Sequence, residues 1–313
     1  MEDFSSMDNN QVQNTAAGDV IVLSNVGKRY GKSQILKDVS FSVPKGSVFG
    51  LVGRNGAGKT TLMRLMTGLQ KCDEGKIELT VSGDKIGSVG AIVELASIYT
   101  NMSARDNLVF QYINLGCKVD ESLDELLAFV GLADTGKKHA GKFSLGMRQR
   151  LGIAMALVGN PELLVLDEPV NGLDPQGILE VRNLLLRLSR EKGITIIISS
   201  HILSELSKLA THYAFIEEGR VVKLASAQDI ENAGKKFTQV TCNDPAGMIP
   251  VLTNLGFAPE VVGQTMVQFE GEARLTDIVM KAVEAGIEVT DVSTSVTDLE
   301  RYFVGLVGGD SNV

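Results

Sequence analysis

The residues Gly53-Arg54-Asn55-Gly56-Ala57-Gly58-Lys59-Thr60 satisfy the pattern G-x-x-x-x-G-K-[ST] at every position. The chemistry this order supports is phosphate binding. Glycines let the backbone wrap round an anion so that successive N–H groups point inward. A helix starting at the end of the loop adds positive potential from its N-terminus. Lys59 can reach β- and γ-phosphates, and the Thr60 hydroxyl can ligate Mg2+. A glycine-rich turn with a chance lysine would share this composition. The surroundings argue against it. An apolar run over 47–52 precedes the loop, and Leu62, Leu65, Met66 and Leu69 follow at helical spacing. That stripe is expected to be core.

A second cluster, Asp167-Glu168, closes the hydrophobic run over 163–166. In open α/β sheets, ligands sit beyond the carboxyl ends of the strands. Asp167 can there hold Mg2+ through water, and Glu168 can orient or deprotonate an attacking water. An acidic turn after a strand would look the same in isolation; the phosphate loop upstream favours the functional reading. His201 follows the buried run over 194–199. It too falls at a strand's carboxyl end, where its ring can face a γ-phosphate.

Positioning these groups requires strands alternating with helices. Strand-like runs lie over 21–23, 36–43, 47–52, 163–166 and 194–199, the second closed by Pro44-Lys45-Gly46. Asp174 and Pro175 supply an N-cap and a first-turn proline for a helix through Arg190, ended by Gly193. The alternation predicts an α/β fold of P-loop NTPase type, with a mostly parallel sheet. The stretch over about 103–159 is helical in pattern and predicts a helical subdomain. After about residue 234 the order becomes strand 237–242, helix 248–255, hairpin 260–262 and 266–270, helix 277–285, strand 287–292. That β-α-β-β-α-β order predicts a small ferredoxin-like α+β domain. Thr297 and Glu300 form a capping box for a last helix. The expected division is a flexible tail over 1–18, a catalytic domain over 19–234 and an accessory domain over 235–313.

Composition narrows the function. Hydrophobic residues make up 44%, enough for a sizeable core. With 38 acidic and 30 basic residues the net charge is -8, which argues against a nucleic-acid binder. Cys72, Cys117 and Cys242 are odd in number and widely separated, so neither a disulfide framework nor a metal site is indicated. Reduced cytosolic thiols are expected. The first 18 residues are polar and acidic, unlike a signal peptide. No stretch approaches the ~20 apolar residues that span a bilayer. Any membrane link is therefore expected through a partner.

The stretch Phe143-Ser144-Leu145-Gly146-Met147-Arg148-Gln149-Arg150-Leu151 stands shortly before the acidic strand. It resembles the signature of ABC ATPases, commonly Leu-Ser-Gly-Gly-Gln, and the resemblance covers about 20–220. It implies ATP hydrolysis with ATP and Mg2+, and a homodimer or a pairing with a paralogous ATPase that sandwiches two ATP molecules. Ser144 and Gly146 would then meet the γ-phosphate held by the other subunit. Tyr30 would stack on adenine. Gly53, Asn55, Gly56, Ala57, Gly58, Lys59, Thr60 and Thr61 would hold the nucleotide. Asn171-Gly172-Leu173-Asp174 resembles the loop coupling the two sites, which makes Asp174 a nucleotide-site residue. Glu168, His201 and Lys59 would be catalytic.

Two departures stand out. Leu145 and Met147 replace the usual Gly and Gln of the signature. No Gln occurs between Lys71 and Arg105, and Glu94 sits where the family has one. A carboxylate there can ligate Mg2+ beside Thr60 and Asp167, but it adds negative charge and cannot donate a hydrogen bond. The alternative is an ordinary surface glutamate. These variations, the region over 99–108 and the ending Leu299-Glu300-Arg301-Tyr302-Phe303 resemble the branch that includes bacitracin- and lantibiotic-type peptide antibiotic transporters. That branch implies an integral membrane permease as partner, touched by the region over 94–107. It also implies a cytoplasmic, peripheral location through that permease, and export of a peptide antibiotic or other hydrophobic or amphipathic compound. The rivals are a soluble ABC ATPase acting on nucleic acid or ribosomes, and a regulator that has lost catalysis. The single ATPase domain, the lack of sustained heptads and the filled catalytic positions argue against both, and no nucleic-acid partner is expected.

Overall fold

A computed structural model describes residues 18–81, 87–233 and 236–296, with 299, 302, 303 and 306. The chain divides into two compact units between Ala225 and Ser226.

The first unit opens with two 12-residue strands, β1 (Asp19–Tyr30) and β2 (Ser33–Pro44). Both are longer than the apolar runs at their centres suggest. Register shifts between Leu23 and Val26, and again between Val26 and Lys28, break the alternation that would have marked β1 in sequence. The buried strand β3 (Val48–Val52) then leads through the phosphate loop into α1 (Lys59–Met66). This helix buries Leu62, Leu65 and Met66 as the spacing requires. Leu69 departs from the expectation. The chain turns at Gly68, whose φ is 73°, and Leu69 is left 66% exposed.

Next come β4 (Glu74–Leu79) and β5 (Val89–Ile92). The helical region follows with α2 (Ala104–Asn114), α3 (Ser122–Phe129), two 3-10 turns and α4 (Leu145–Ala156). Ser103 and Asp106 form a capping box at the start of α2. The fully buried Asn107 side chain bonds Tyr99 N, Tyr99 O and Ser103 O, fixing the segment that enters the helix. After β6 (Leu163–Leu166) comes α5 (Pro175–Lys192), capped by Asp174 and stopped by Gly193 in the left-handed region. The unit closes with β7 (Thr195–Ser199), α6 (Leu203–Leu206), β8 (His212–Glu217) and β9 (Arg220–Ser226).

Two sheets result. β2-β1-β4 is antiparallel, and β5-β6-β7-β3-β8-β9 is parallel from β5 through β8. β3, β6 and β7 are buried at every residue, which is why they read as unbroken apolar runs. Their carboxyl ends carry the phosphate loop, Asp167-Glu168 and Ser200-His201.

The second unit runs α7 (Ala227–Ala233), β10 (Lys236–Cys242), α8 (Pro245–Asn254), β11 (Glu260–Val262), β12 (Met266–Glu270), α9 (Leu275–Glu284) and β13 (Val289–Val296). Its sheet order is β11-β12-β10-β13, with every pairing antiparallel. This is the ferredoxin-like arrangement. Met248, Leu252, Ile278 and Ala282 of the two helices pack on Val240, Val267 and Phe269 of the sheet. Both helices begin earlier than their apolar pattern. The Asp244 carboxylate caps α8 at Gly247 N, and Pro245 starts it. Of the expected tail over 1–18 only Gly18 is among the described residues, and the capping box at Thr297 and Glu300 lies outside them. Among the described residues no helix is long and apolar enough to cross a membrane.

One turn braces the phosphate loop from behind. Gly219, between β8 and β9, donates its N–H to Ala57 O at 3.1 Å and accepts from Lys37 N at 2.8 Å. Its φ is 78°, and a Cβ there would lie 2.0 Å from the Ile35 carbonyl oxygen. Gly219→Ala is therefore expected to destabilise the protein by about 2 kcal/mol or more. A urea midpoint shift reads this directly; an unchanged midpoint would refute the brace.

Candidate functional site

The loop over 53–58 leaves the central strand β3 and enters α1 at Lys59. Gly56 and Gly58 take φ values of 84° and 107°, which an L side chain adopts only under strain. A Cβ at Gly53 would lie 2.4 Å from the Ile216 carbonyl oxygen, and one at Gly58 would lie 2.7 Å from Leu36. The loop thus depends on its glycines both for curvature and for close approach to β2 and β8. Lys59 is buried, and its ammonium donates to Gly53 O at 2.7 Å and Arg54 O at 3.1 Å. Burial lowers its pKa from the usual lysine value, while the charges of Glu168 and Asp167 oppose that shift.

Asp167 lies one residue beyond β6 and is buried. Its Oδ2 accepts from the Thr60 hydroxyl at 2.8 Å and its Oδ1 from the Ser199 hydroxyl at 2.6 Å. Ser199 Oγ also accepts from Glu168 N at 2.9 Å. One buried hydroxyl therefore aligns both acidic residues. No motif pointed to Ser199. The usable signal was register: Leu166 pairs with Ile198, so the next residues, Asp167 and Ser199, are adjacent on neighbouring parallel strands.

Glu168 takes a φ of 50°, an uncommon conformation for a non-glycine residue. Its Oε2 accepts from His201 N at 3.2 Å and lies 2.7 Å from His201 Nδ1. The histidine and the glutamate are thus brought together. Tyr30 ends β1, and its hydroxyl donates to Gln70 Oε1.

A cleft of about 360 Å³, in the size range of small-molecule sites, lies among these groups; His201 is not in its lining and adjoins it through Glu168. Its lining includes Tyr30, Asn55, Gly56, Gly58, Lys59, Thr60, Thr61, Asp167 and Glu168. Gly53 and Ala57 belong to the loop but are not in this lining. Thr60 and Asp167 place two hard oxygen ligands side by side, a set that fits Mg2+ completed by substrate phosphates. Glu94 is not in this lining. Its carboxylate pairs with Arg64 of α1, and its φ is 72°. Ser144, Gly146 and Asp174 are absent from it as well.

A family model described as ABC transporter matches residues 36–171. The chain is 38% identical to the bacitracin transport ATP-binding protein BcrA of Bacillus licheniformis, over 93% of this chain and 98% of that one. The chain belongs to the ABC transporter ATP-binding family. It is also 42% identical to the lantibiotic transport ATP-binding protein SrtF of Streptococcus pyogenes, over 70% of this chain and 96% of that one. Among solved structures, a nucleotide-free ATP-binding cassette from an ABC transporter superposes with a TM-score of 0.62 at 26% identity. That match covers 68% of this chain and 94% of that one. The ADP conformation of an ATP-binding cassette gives a TM-score of 0.61 at 26% identity, over the same shares. This ABC protein is an ATPase whose hydrolysis is coupled to transport.

In this ABC ATPase the signature-like segment forms the start of α4. Ser144 caps it, accepting from Met147 N at 3.2 Å. Gly146 faces the start of α5, where a Cβ would lie 3.6 Å from Gly177 Cα. The Asp174 carboxylate caps α5 at Gly177 N, 3.0 Å away.

Two outcomes follow from this geometry. Ser199→Ala leaves the Asp167 and Glu168 contacts unmade, and a hydrogen bond to a charged group is worth about 1.5–3 kcal/mol. Mg2+-dependent turnover is expected to fall roughly tenfold or more, with metal-free ATP binding retained; a steady-state ATPase assay at varied Mg2+ checks it. The second concerns pH. Free Lys59 has a pKa below 10.5 through burial, and a bound phosphate raises it again. The bound state then holds more proton than the free state, so ATP affinity declines as pH rises through the free-state value. Calorimetric titration from neutral pH upward should show this decline beginning below pH 10.5. A flat alkaline profile would exclude Lys59 from phosphate contact.

Proposed function

We propose that this ATPase drives a permease that exports a peptide antibiotic or another amphipathic compound. The observation that carries this is the identity with the bacitracin transport protein along 93% of the chain, the C-terminal unit included. The linearmycin resistance ATP-binding protein LnrL of Bacillus subtilis (strain 168) is 30% identical over 91% of this chain and 97% of that one. Transport and resistance proteins for three such compounds are therefore similar along most of the sequence.

In the proposed mechanism, the 53–61 segment and Tyr30 hold ATP. Lys59 turns from the loop carbonyls to the γ-phosphate, whose charge it stabilises. Glu168 orients the attacking water in line, and His201, held by Glu168, contacts the γ-phosphate. Thr60 and Asp167 would hold Mg2+, which would add charge neutralisation for the phosphates. Glu94 joins that site only by leaving Arg64. Ser144 and Gly146 of a second ATPase subunit complete the phosphate contacts, and Asp174 lies in the segment between the two sites. The 19–234 region is taken as the ATPase domain and 235–313 as an accessory domain, a boundary drawn after α7 and not at the break between compact units after Ala225.

The permease contact is placed on the surface around Glu94. A groove of about 500 Å³ there includes Leu69, Leu95, Tyr99, Phe110 and Met155 in its lining, and Leu95 is 85% exposed. The exposed Leu69 and Leu95 side chains give this mixed polar and apolar groove surface that a partner would cover. The protein would then act on the cytoplasmic face of the membrane, held there by the permease.

The test is Glu168→Gln, tagged and recovered from mildly solubilised host membranes with and without ATP. Turnover is expected to fall by about 100-fold or more, while an ATP-dependent dimer persists and a multi-spanning protein co-purifies. Unchanged turnover would remove Glu168 from catalysis. Recovery of ribosomes or nucleic acid in place of a membrane protein would overturn the transporter assignment.

A further inference from the structure

Tyr30 is 42% exposed at the end of a strand, a setting in which an aromatic ring ordinarily samples several rotamers. Here the segment 70–73 ties down every residue from Gly27 to Tyr30. Asp73 N donates to Gly27 O at 2.9 Å. The Lys28 ammonium donates to Lys71 O at 2.8 Å and Asp73 Oδ1 at 3.0 Å. Arg29 N donates to Asp73 Oδ2 at 2.7 Å, and the Tyr30 hydroxyl donates to Gln70 Oε1. The same Lys28 ammonium sits 5.8 Å from the Tyr30 ring centroid, a cation–π distance.

The segment is anchored in turn to α1, because Gln70 N donates to Arg64 O at 3.1 Å. Lys59 and Thr60 occupy the other end of that helix. Eight residues at the α-helical rise put the two ends about 12 Å apart. A nucleoside triphosphate is an extended ligand with a flat base at one end and anionic phosphates at the other. One rigid helix thus joins the groups that would meet each end.

We propose that Gln70 and Asp73 are positioning residues for the nucleotide base: they fix Tyr30 in orientation and in distance from the phosphate loop. The proposal rests on Tyr30 being the base platform. Its energetic content is preorganisation, since the ring is ordered before ligand arrives. Exposed polar contacts contribute little to stability, so the effect belongs to base-dependent affinity.

The test measures binding of ATP and of inorganic tripolyphosphate, which has no base, to the full chain by calorimetry. Gln70→Ala and Tyr30→Phe each delete one side of the same hydrogen bond. Each is expected to weaken ATP binding about three- to tenfold, the double variant no further, and tripolyphosphate binding stays unchanged. Asp73→Asn keeps an acceptor for Arg29 N and is expected to be milder than Asp73→Ala. In the Gln70 and Asp73 variants KM for ATP rises while kcat holds. If Tyr30→Ala selectively weakens ATP but Gln70→Ala and Tyr30→Phe match the unsubstituted protein, the clamp is overturned and the platform stands. If Tyr30→Ala leaves ATP binding unchanged, the platform reading of Tyr30 fails. If tripolyphosphate weakens in step with ATP in the Gln70 and Asp73 variants, the segment supports the phosphate loop and the clamp is again overturned.

Discussion

The Asp167 carboxylate accepts one hydrogen bond from Thr60 and one from Ser199, and the nucleotide cleft is organised around those two bonds. Burying a carboxylate is costly unless its oxygens are paired. Pairing with Lys59 would meet that need but would spend the lysine's charge. Neutral hydroxyls satisfy the oxygens and leave the negative charge in place. Lys59 is correspondingly bonded to loop carbonyls, and no ion pair involving it is found among the described residues. Opposite charges are thus held close without cancelling. The site keeps a cation for phosphate and an anion for metal.

The helix α1 carries this arrangement outward. Lys59 and Thr60 lie in its first turn, Arg64 near its end pairs with Glu94, and the segment after it holds the strand that ends in Tyr30. A change at the phosphate end can therefore reach two places through one rigid element. The Arg64–Glu94 pair is exposed and weak by itself. The unusual carboxylate at position 94 becomes intelligible here, since a glutamine would make a weaker partner for Arg64.

What could be read from sequence was whatever sits within a few residues along the chain. The phosphate loop, the Asp167-Glu168 strand end and the α5 cap are local patterns, and the buried strands announce themselves by composition. The β11–β12 hairpin was legible for the same reason. Ser199 and Gln70 were not, because their partners lie 32 and 40 residues away and neither belongs to a local motif. The lengths of β1 and β2 were hidden by bulges. Leu69 was misplaced because helical spacing continued for one residue beyond the turn at Gly68, where the backbone no longer followed it. Periodicity reports a helix only while the chain obeys it.

The starts of α4 and α5 lie against each other, with Leu145 close to Gly172 and Gly146 close to Gly177. Each helix N-terminus carries positive potential. The two caps treat it differently. The Asp174 carboxylate satisfies Gly177 N and puts a negative charge at the start of α5. Ser144 satisfies Met147 N with a neutral hydroxyl and leaves the start of α4 positive. An anion approaching this corner is therefore favoured at α4 and disfavoured at Asp174. The chain's own phosphate cleft does not include Ser144 or Gly146 in its lining. On the proposed mechanism the anion is the γ-phosphate held by a second subunit. A serine at the cap then has a reason beyond helix propensity: an aspartate would cap α4 equally well, but it would repel the phosphate that closes the dimer.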